Sequence, residues 1–238
     1  MALRYITQFD LTYLPNWDAI SMSKAEAVID RLSKIYKIMW RPSHNDFDIL
    51  VATILSQNTN RENTQKAFSR LKEKVRSFKD LLALDETKFK ELIRPAGLYN
   101  VKSKRLKKLA KIMVEKYGGS LDSILRKPPR EAREELLSIE GVGPKTADII
   151  LAFKKGLPVV PVDTHIFRVA KRVGVASPKA DYEGVRSALE DGIPPEKRQT
   201  AHLLLIQFGR EICRARNPEC PNCPIYDLCD NPVIVVKK

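Results

Sequence analysis

Four cysteines, Cys213, Cys220, Cys223 and Cys229, stand in one short C-terminal stretch, and the chain has no other. Their spacing, C-x6-C-x2-C-x5-C, crowds four thiols into a loop, where they have no packing reason to be unless they bind a soft metal. A disulfide scaffold would spread its cysteines along the sequence. Structural zinc sites usually pair two short C-x-x-C-like knuckles, whereas this run has one short pair between two longer gaps, which favours an iron–sulfur cluster; zinc is the alternative. Arg214 and Arg216 lie in the same loop and could be held toward phosphates.

A second constellation lies upstream. In Leu137-Ser138-Ile139-Glu140-Gly141-Val142-Gly143-Pro144-Lys145-Thr146-Ala147, the two glycines let the backbone turn sharply, and the free N–H groups opening the next helix form an anion site. Pro144 suits the first turn of that helix, since its missing N–H costs nothing there. Lys145 sits in the same turn, where the positive end of the helix dipole disfavours a protonated amine and makes the lysine a candidate nucleophile. Farther on, Asp163 follows Val162 and precedes Thr164-His165. It is well chosen to cap a helix over 164–173, and a capping carboxylate is also rigidly aimed, which suits stabilisation of an oxocarbenium-like centre. An amine with a carboxylate is what N-glycosidic cleavage through a Schiff base requires.

The elements that must position these residues read as helices nearly throughout. Ser23 and Glu26 form a capping box ahead of Val28, Ile29, Leu32, Ile35, Tyr36 and Met39, which predicts a helix from about Ser23 to Trp40. A mostly apolar helix begins near Asp46 and gives way to the polar run Ser56 to Asn60. Further helices are expected at 62–75, 78–84, 86–93, 101–117, from Pro128-Pro129 through Ile139, from Pro144, and at 164–173, 182–190 and 196–212. In the 101–117 helix, Leu106, Leu109, Ala110 and Met113 form the inward stripe, with Lys102, Lys104, Arg105, Lys107, Lys108 and Lys111 around the rest. Residues 157–162, with two prolines, read as an extended crossing between sub-domains, and only Val233 to Val236 looks strand-like. No βα alternation appears, so the fold class is all-α.

With 42 Lys+Arg against 29 Asp+Glu the chain carries a formal charge of +13, the kind of excess that a polyanion selects. No stretch approaches the ~20 apolar residues of a membrane span. The N-terminus lacks the unbroken apolar run of a secretory signal, so an intracellular protein is expected.

Three segments, LSIEGVGPKTADIILAF, VVPVDTHIFRVAKRVGV and CRARNPECPNCPIYDLC, resemble endonuclease III of the helix-hairpin-helix DNA glycosylase superfamily, in that order along the chain. The resemblance runs from about Phe47 through Cys229 and includes ILSQNTN and GLYNVKSKRL. It implies two helical domains flanking a DNA-binding cleft: a six-helix barrel with the helix-hairpin-helix over residues 41–156, and an iron–sulfur domain formed by 1–40 together with 157–238. It implies a [4Fe–4S] cluster on Cys213, Cys220, Cys223 and Cys229. Lys145 would be the Schiff-base nucleophile and Asp163 the catalytic carboxylate.

By the same resemblance Gln57 would fill the space left by an everted nucleotide, Leu98 would wedge the opposite strand, and Gly141, Val142 and Gly143 would hold a phosphate. His165, Arg214 and Arg216 are further DNA contacts. Asn217 and Glu219 depart from the family, which often has basic residues in that loop. The implied activity is that of a bifunctional glycosylase and abasic-site lyase in base excision repair, acting as a monomer on double-stranded DNA with oxidised pyrimidines or abasic sites. The alternatives are a glycosylase for mismatched uracil or thymine or for alkylated purines, and a non-catalytic DNA-binding iron–sulfur protein. The absence of any acid between Ile49 and Asn60 argues against adenine excision. The positive excess is expected on one concave face, from the 101–117 helix, Lys145, Arg168 to Arg172 and the Arg214 to Arg216 loop.

Overall fold

The computed structural model describes residues 22–38 and 45–232. Among these there are twelve α-helices and no strand, so the architecture is all-α. The helices are α1 (Lys24–Ile35), α2 (Asp46–Ser56), α3 (Arg61–Lys72), α4 (Phe78–Ala83), α5 (Glu86–Ile93), α6 (Tyr99–Tyr117), α7 (Asp122–Leu125), α8 (Pro129–Ser138), α9 (Pro144–Phe153), α10 (Thr164–Val173), α11 (Tyr182–Gly192) and α12 (Arg198–Glu211). Short polar side chains set many of the starts: Ser23, Asn45, Asn60, Ser77, Asp85, Asp163 and Asp181 each accept a backbone N–H of the first turn. None of the helices is long and apolar enough to cross a membrane.

Apolar side chains collect into two main cores. One runs from Phe47 through Leu151 and joins α2–α9. The other joins Ala25, Val28, Ile29 and Leu32 of α1 to residues from Val160 through Ile225. A small third cluster, Ala152, Phe153 and Leu203, ties the end of α9 to α12. The prolines of 157–162 keep that connection out of helical geometry. Two of its backbone donors go to side chains of α11: Val160 N–H to a Glu190 carboxylate oxygen at 2.9 Å and Val162 N–H to the Tyr182 hydroxyl at 3.2 Å.

Two expectations are corrected. The first helix ends at Ile35 rather than continuing to Trp40, because Tyr36 leaves helical geometry (ψ 121°) and Tyr36 and Ile38 turn to pack on the second core. Lys102, placed by periodicity among the solvated lysines of α6, is 2% exposed. Trp40, residues 1–21 and the strand-like Val233 to Val236 lie outside the described residues.

Candidate active site

The hairpin is α8, a turn and α9. Ile139 leaves the helix in extended geometry, and its carbonyl accepts the Val142 N–H at 2.9 Å while Val142 is buried beneath the turn. Gly141 has φ +92°, a conformation that L side chains rarely adopt. Gly143 is extended (φ −92°, ψ 179°) and has open space where a Cβ would stand. No side chain caps α9, so the N–H groups of its first turn remain available to an incoming acceptor.

Lys145 lies in that first turn, half-buried, and its amine makes no hydrogen bond or ion pair among the described residues. Burial pushes its pKa below the ordinary lysine value; the Asp163 carboxylate opposes that shift and the Arg210 guanidinium adds to it. Asp163 is the N-cap of α10: its Oδ1 accepts the backbone N–H groups of His165 and Ile166, each at 2.9 Å. Its Oδ2 has no hydrogen-bond partner among the described residues, so the carboxylate is locked by one oxygen and open at the other.

Two residues that no spacing pointed to complete this neighbourhood, both on α12. His202 is buried; its Nδ1 lies 2.7 Å from the Pro161 carbonyl oxygen and its ring tilts over Phe153 at 5.5 Å between centroids. Burial lowers its pKa to about 4, with Asp163 pulling the other way, so the imidazole is neutral at ordinary pH. The Arg210 guanidinium is exposed and makes no ion pair among the described residues, but it lies within electrostatic reach of Asp163, Lys145 and, from the other core, Arg61. A single histidine and the second of two arginines in one helix carry no sequence signal. His165 is the second residue of α10, with Nδ1 3.2 Å from an Arg168 nitrogen, and burial lowers its pKa.

Gln57 ends α2, and its Oε1 accepts from Arg105 at 3.1 Å. Leu98 is 58% exposed and left-handed (φ 46°, ψ 31°), so the expected wedge is a solvent-facing apolar side chain on a strained backbone rather than a core leucine. A branched residue in that region costs on the order of 1–3 kcal/mol, so the surroundings must hold it there.

All four cysteines line one cavity together with Arg172, Phe208, Ile212 and Ile225, and none is in a disulfide. Burial raises the Cys223 thiol, and the other three thiols raise it further, so the four sulfurs sense one another. Four thiols around one cavity are the donor set that an iron–sulfur cluster takes. The surrounding arginines differ from expectation. Arg168 donates to the carbonyls of Gly209 (2.7 Å) and Cys213 (2.9 Å), and Arg172 to those of Arg214 (2.6 Å) and Ala215 (3.2 Å), so both brace the cysteine loop instead of facing outward. Arg214 is occupied by the Asn217 carbonyl and the Glu219 carboxylate, whereas Arg216 is exposed with no such partner among the described residues.

Residues 51–195 match the HhH-GPD superfamily of base excision DNA repair proteins, and residues 213–229 match the iron–sulfur binding domain of endonuclease III. The chain is 36% identical over 218 residues to a Methanocaldococcus jannaschii protein provisionally named a DNA repair glycosylase, covering 86% of this chain and 98% of that one. It is 35% identical to endonuclease III of Bacillus subtilis over 185 residues, 78% of this chain and 81% of the relative. A trapped covalent intermediate of endonuclease III with DNA superposes with a TM-score of 0.74 at 32% identity, covering 88% of this chain and 97% of that one. The protein therefore binds DNA and carries a [4Fe–4S] cluster as cofactor. The chain belongs to the HhH-GPD superfamily of base excision DNA repair proteins, as a DNA glycosylase of the endonuclease III family.

Proposed function

We propose that the protein is a bifunctional glycosylase and abasic-site lyase acting on oxidised pyrimidines in duplex DNA. One observation carries this reading: the unpartnered, desolvated amine of Lys145 beside an Asp163 carboxylate that is fixed by two backbone N–H groups and open at Oδ2. Lys145 Nζ attacks the sugar C1′, the C1′–N bond breaks with its electron pair leaving on the base, and the base takes up a proton. Asp163 stabilises the positive charge that develops at C1′ and the ring oxygen. The attached nitrogen loses one proton and its lone pair forms the C1′=N bond of an iminium as the C1′–O4′ bond breaks and O4′ takes up a proton. Loss of a C2′ proton then breaks the C3′–O bond and expels the 3′ phosphate, and water adds at C1′ to release Lys145.

The two cores correspond in this reading to a barrel domain of residues 41–156 and a second domain of 157–238 paired with the N-terminal segment, with DNA between them. The Gly141-Val142-Gly143 turn holds a phosphate through backbone N–H groups other than that of Val142, which the Ile139 carbonyl takes; Gln57 and Leu98 enter the duplex, and His165 and Arg216 contact the lesion strand, with Arg214 contributing once Glu219 releases it. Eversion is needed because C1′ cannot be reached in the stack. Cys213, Cys220, Cys223 and Cys229 hold the cluster, which when bound supplies four iron–thiolate bonds that brace the loop after α12. The enzyme works as a monomer.

Borohydride trapping on duplexes each bearing one defined lesion tests this. Wild type should give a covalent adduct with thymine glycol and with abasic sites, and Lys145→Gln none. Equal adducts from both proteins would remove Lys145 from the role, and adducts confined to mismatched thymine or uracil would move the substrate class.

A further inference from the structure

Lys102 is the one buried lysine among the described residues, and none of its hydrogen-bond partners there is a carboxylate. Its Nζ donates to the carbonyl of Leu55 at 2.8 Å, to Thr59 Oγ1 at 2.6 Å and to the carbonyl of Ala96 at 2.7 Å. An ammonium has three protons, so all are used. Burial lowers the pKa of this amine, and an unpaired buried cation is costly, so packing alone would be better served by leucine or methionine.

What the three bonds join is specific. Leu55 lies two residues before Gln57, Thr59 two residues after it, and Ala96 two residues before Leu98. The Thr59 hydroxyl closes the same junction by donating to Ala96. Both loops contain a non-glycine residue at positive φ, Asn58 at 52° and Leu98 at 46°, and both therefore need an external restraint. One turn farther along α6, Arg105 reaches the Gln57 amide oxygen at 3.1 Å.

We propose that Lys102 is a positioning residue that locks the Gln57 loop and the Leu98 loop into one rigid unit, so that both side chains enter the duplex in register. The proposal rests on the reading of Gln57 and Leu98 as the inserted residues. Lys102 touches neither DNA nor the reacting atoms. It acts on the eversion step, which a single-stranded substrate does not require, and leaves Lys145 and Asp163 to act alike on both substrates.

Single-turnover incision of one abasic strand, alone and in duplex, separates these steps, with 2-aminopurine placed opposite the abasic site reporting insertion. Lys102→Met should lower the ratio of duplex to single-strand incision by about tenfold or more and reduce the fluorescence change. Thr59→Val, a smaller perturbation of the same junction, should move the ratio in the same direction by less, and it decides the matter if Lys102→Met does not fold. Adding Lys102→Met to Leu98→Ala should lower the ratio little beyond Leu98→Ala alone. A ratio unchanged from wild type in both Lys102→Met and Thr59→Val overturns the proposal, as does an equal loss on the two substrates. If Gln57→Ala and Leu98→Ala themselves keep the wild-type ratio, the insertion reading fails; if they lower it and the Lys102 and Thr59 variants do not, only the coupling fails.

Discussion

The Tyr182 hydroxyl donates to Oδ2 of Asp148 at 2.8 Å and accepts the Val162 N–H at 3.2 Å, so a buried carboxylate of α9 is linked through one phenol to the residue preceding Asp163. Asp148 is fully buried and also takes a two-pronged contact from Arg133, at 2.7 and 3.2 Å. Asp148→Ala removes the acceptor of the Tyr182 hydroxyl and one of the two carboxylates on Arg133, whose Glu183 contact remains, and should destabilise the protein by about 1–3 kcal/mol in urea unfolding. Tyr182→Phe should cost about 1 kcal/mol and slow incision, because Val162 loses its anchor. Wild-type stability in Asp148→Ala would contradict the network's importance.

The pH dependence of trapping follows from the surroundings of Lys145. Only the neutral amine attacks, so the rate should rise with pH, and burial should place the midpoint of that rise below 10.5. Asp163 holds the proton on. Asp163→Asn, which keeps the cap, should therefore move the midpoint to lower pH while the plateau falls by roughly 10²–10³. Arg210→Gln should move it to higher pH. Identical midpoints in the three proteins would show that these charges do not reach the amine.

The two hairpin glycines should behave differently. Gly141→Ala forces a Cβ onto φ +92° and should cost about 1–3 kcal/mol in denaturant unfolding. Gly143→Ala meets no atom within 4 Å and should cost under about 1 kcal/mol, yet weaken DNA binding in a fluorescence anisotropy titration by filling the space that a phosphate would occupy. Unimpaired binding by Gly143→Ala would place the phosphate elsewhere.

His202 predicts an acid limb of stability. Its pKa is about 4 folded against 6.5 unfolded, so between these values the unfolded chain binds more protons. Stability should be complete above about pH 6.5 and fall by on the order of 3 kcal/mol as pH drops toward 4, with no further loss from this group below that. His202→Asn, which keeps a donor near the Pro161 carbonyl, should flatten the slope. An unchanged slope would assign the acid sensitivity to other groups.

Cys223→Ser should abolish the visible absorbance of the cluster and lower Tm by about 10 °C or more, because metal binding free energy is folding free energy and Arg168 and Arg172 would lose the fixed loop they brace. An unchanged Tm with the colour lost would show that the loop holds itself.

Much of the frame was legible because it is written locally. Capping residues and apolar periodicity mark α2–α5 and α10, and the cysteine run and the glycine turn mark themselves. Asp163 was legible twice, as a cap and as an acid after an extended crossing. The misses share one cause: their meaning comes from partners distant in sequence. Lys102 reads like its neighbours Lys104 and Arg105 until Leu55 and Ala96 close over it. Arg168 and Arg172 look like DNA-facing cations until the Cys213–Ala215 carbonyls appear beside them. His202 and Arg210 gain their roles only because α12 passes beside Asp163. Tyr36 ends its helix early to pack on a core made by residues far downstream.

The placement of α1 in the second core has a consequence for synthesis on the ribosome. Leu32 and its neighbours emerge first, yet the side chains they pack against begin at Val160, after the whole of the first core. Residues 46–153 can collapse on their own local contacts while α1 waits, its apolar face exposed, until α12 is made. The cysteines come later still, so cofactor loading and the closing of the second core follow the first core, and a shortage of iron would strand a molecule already half folded.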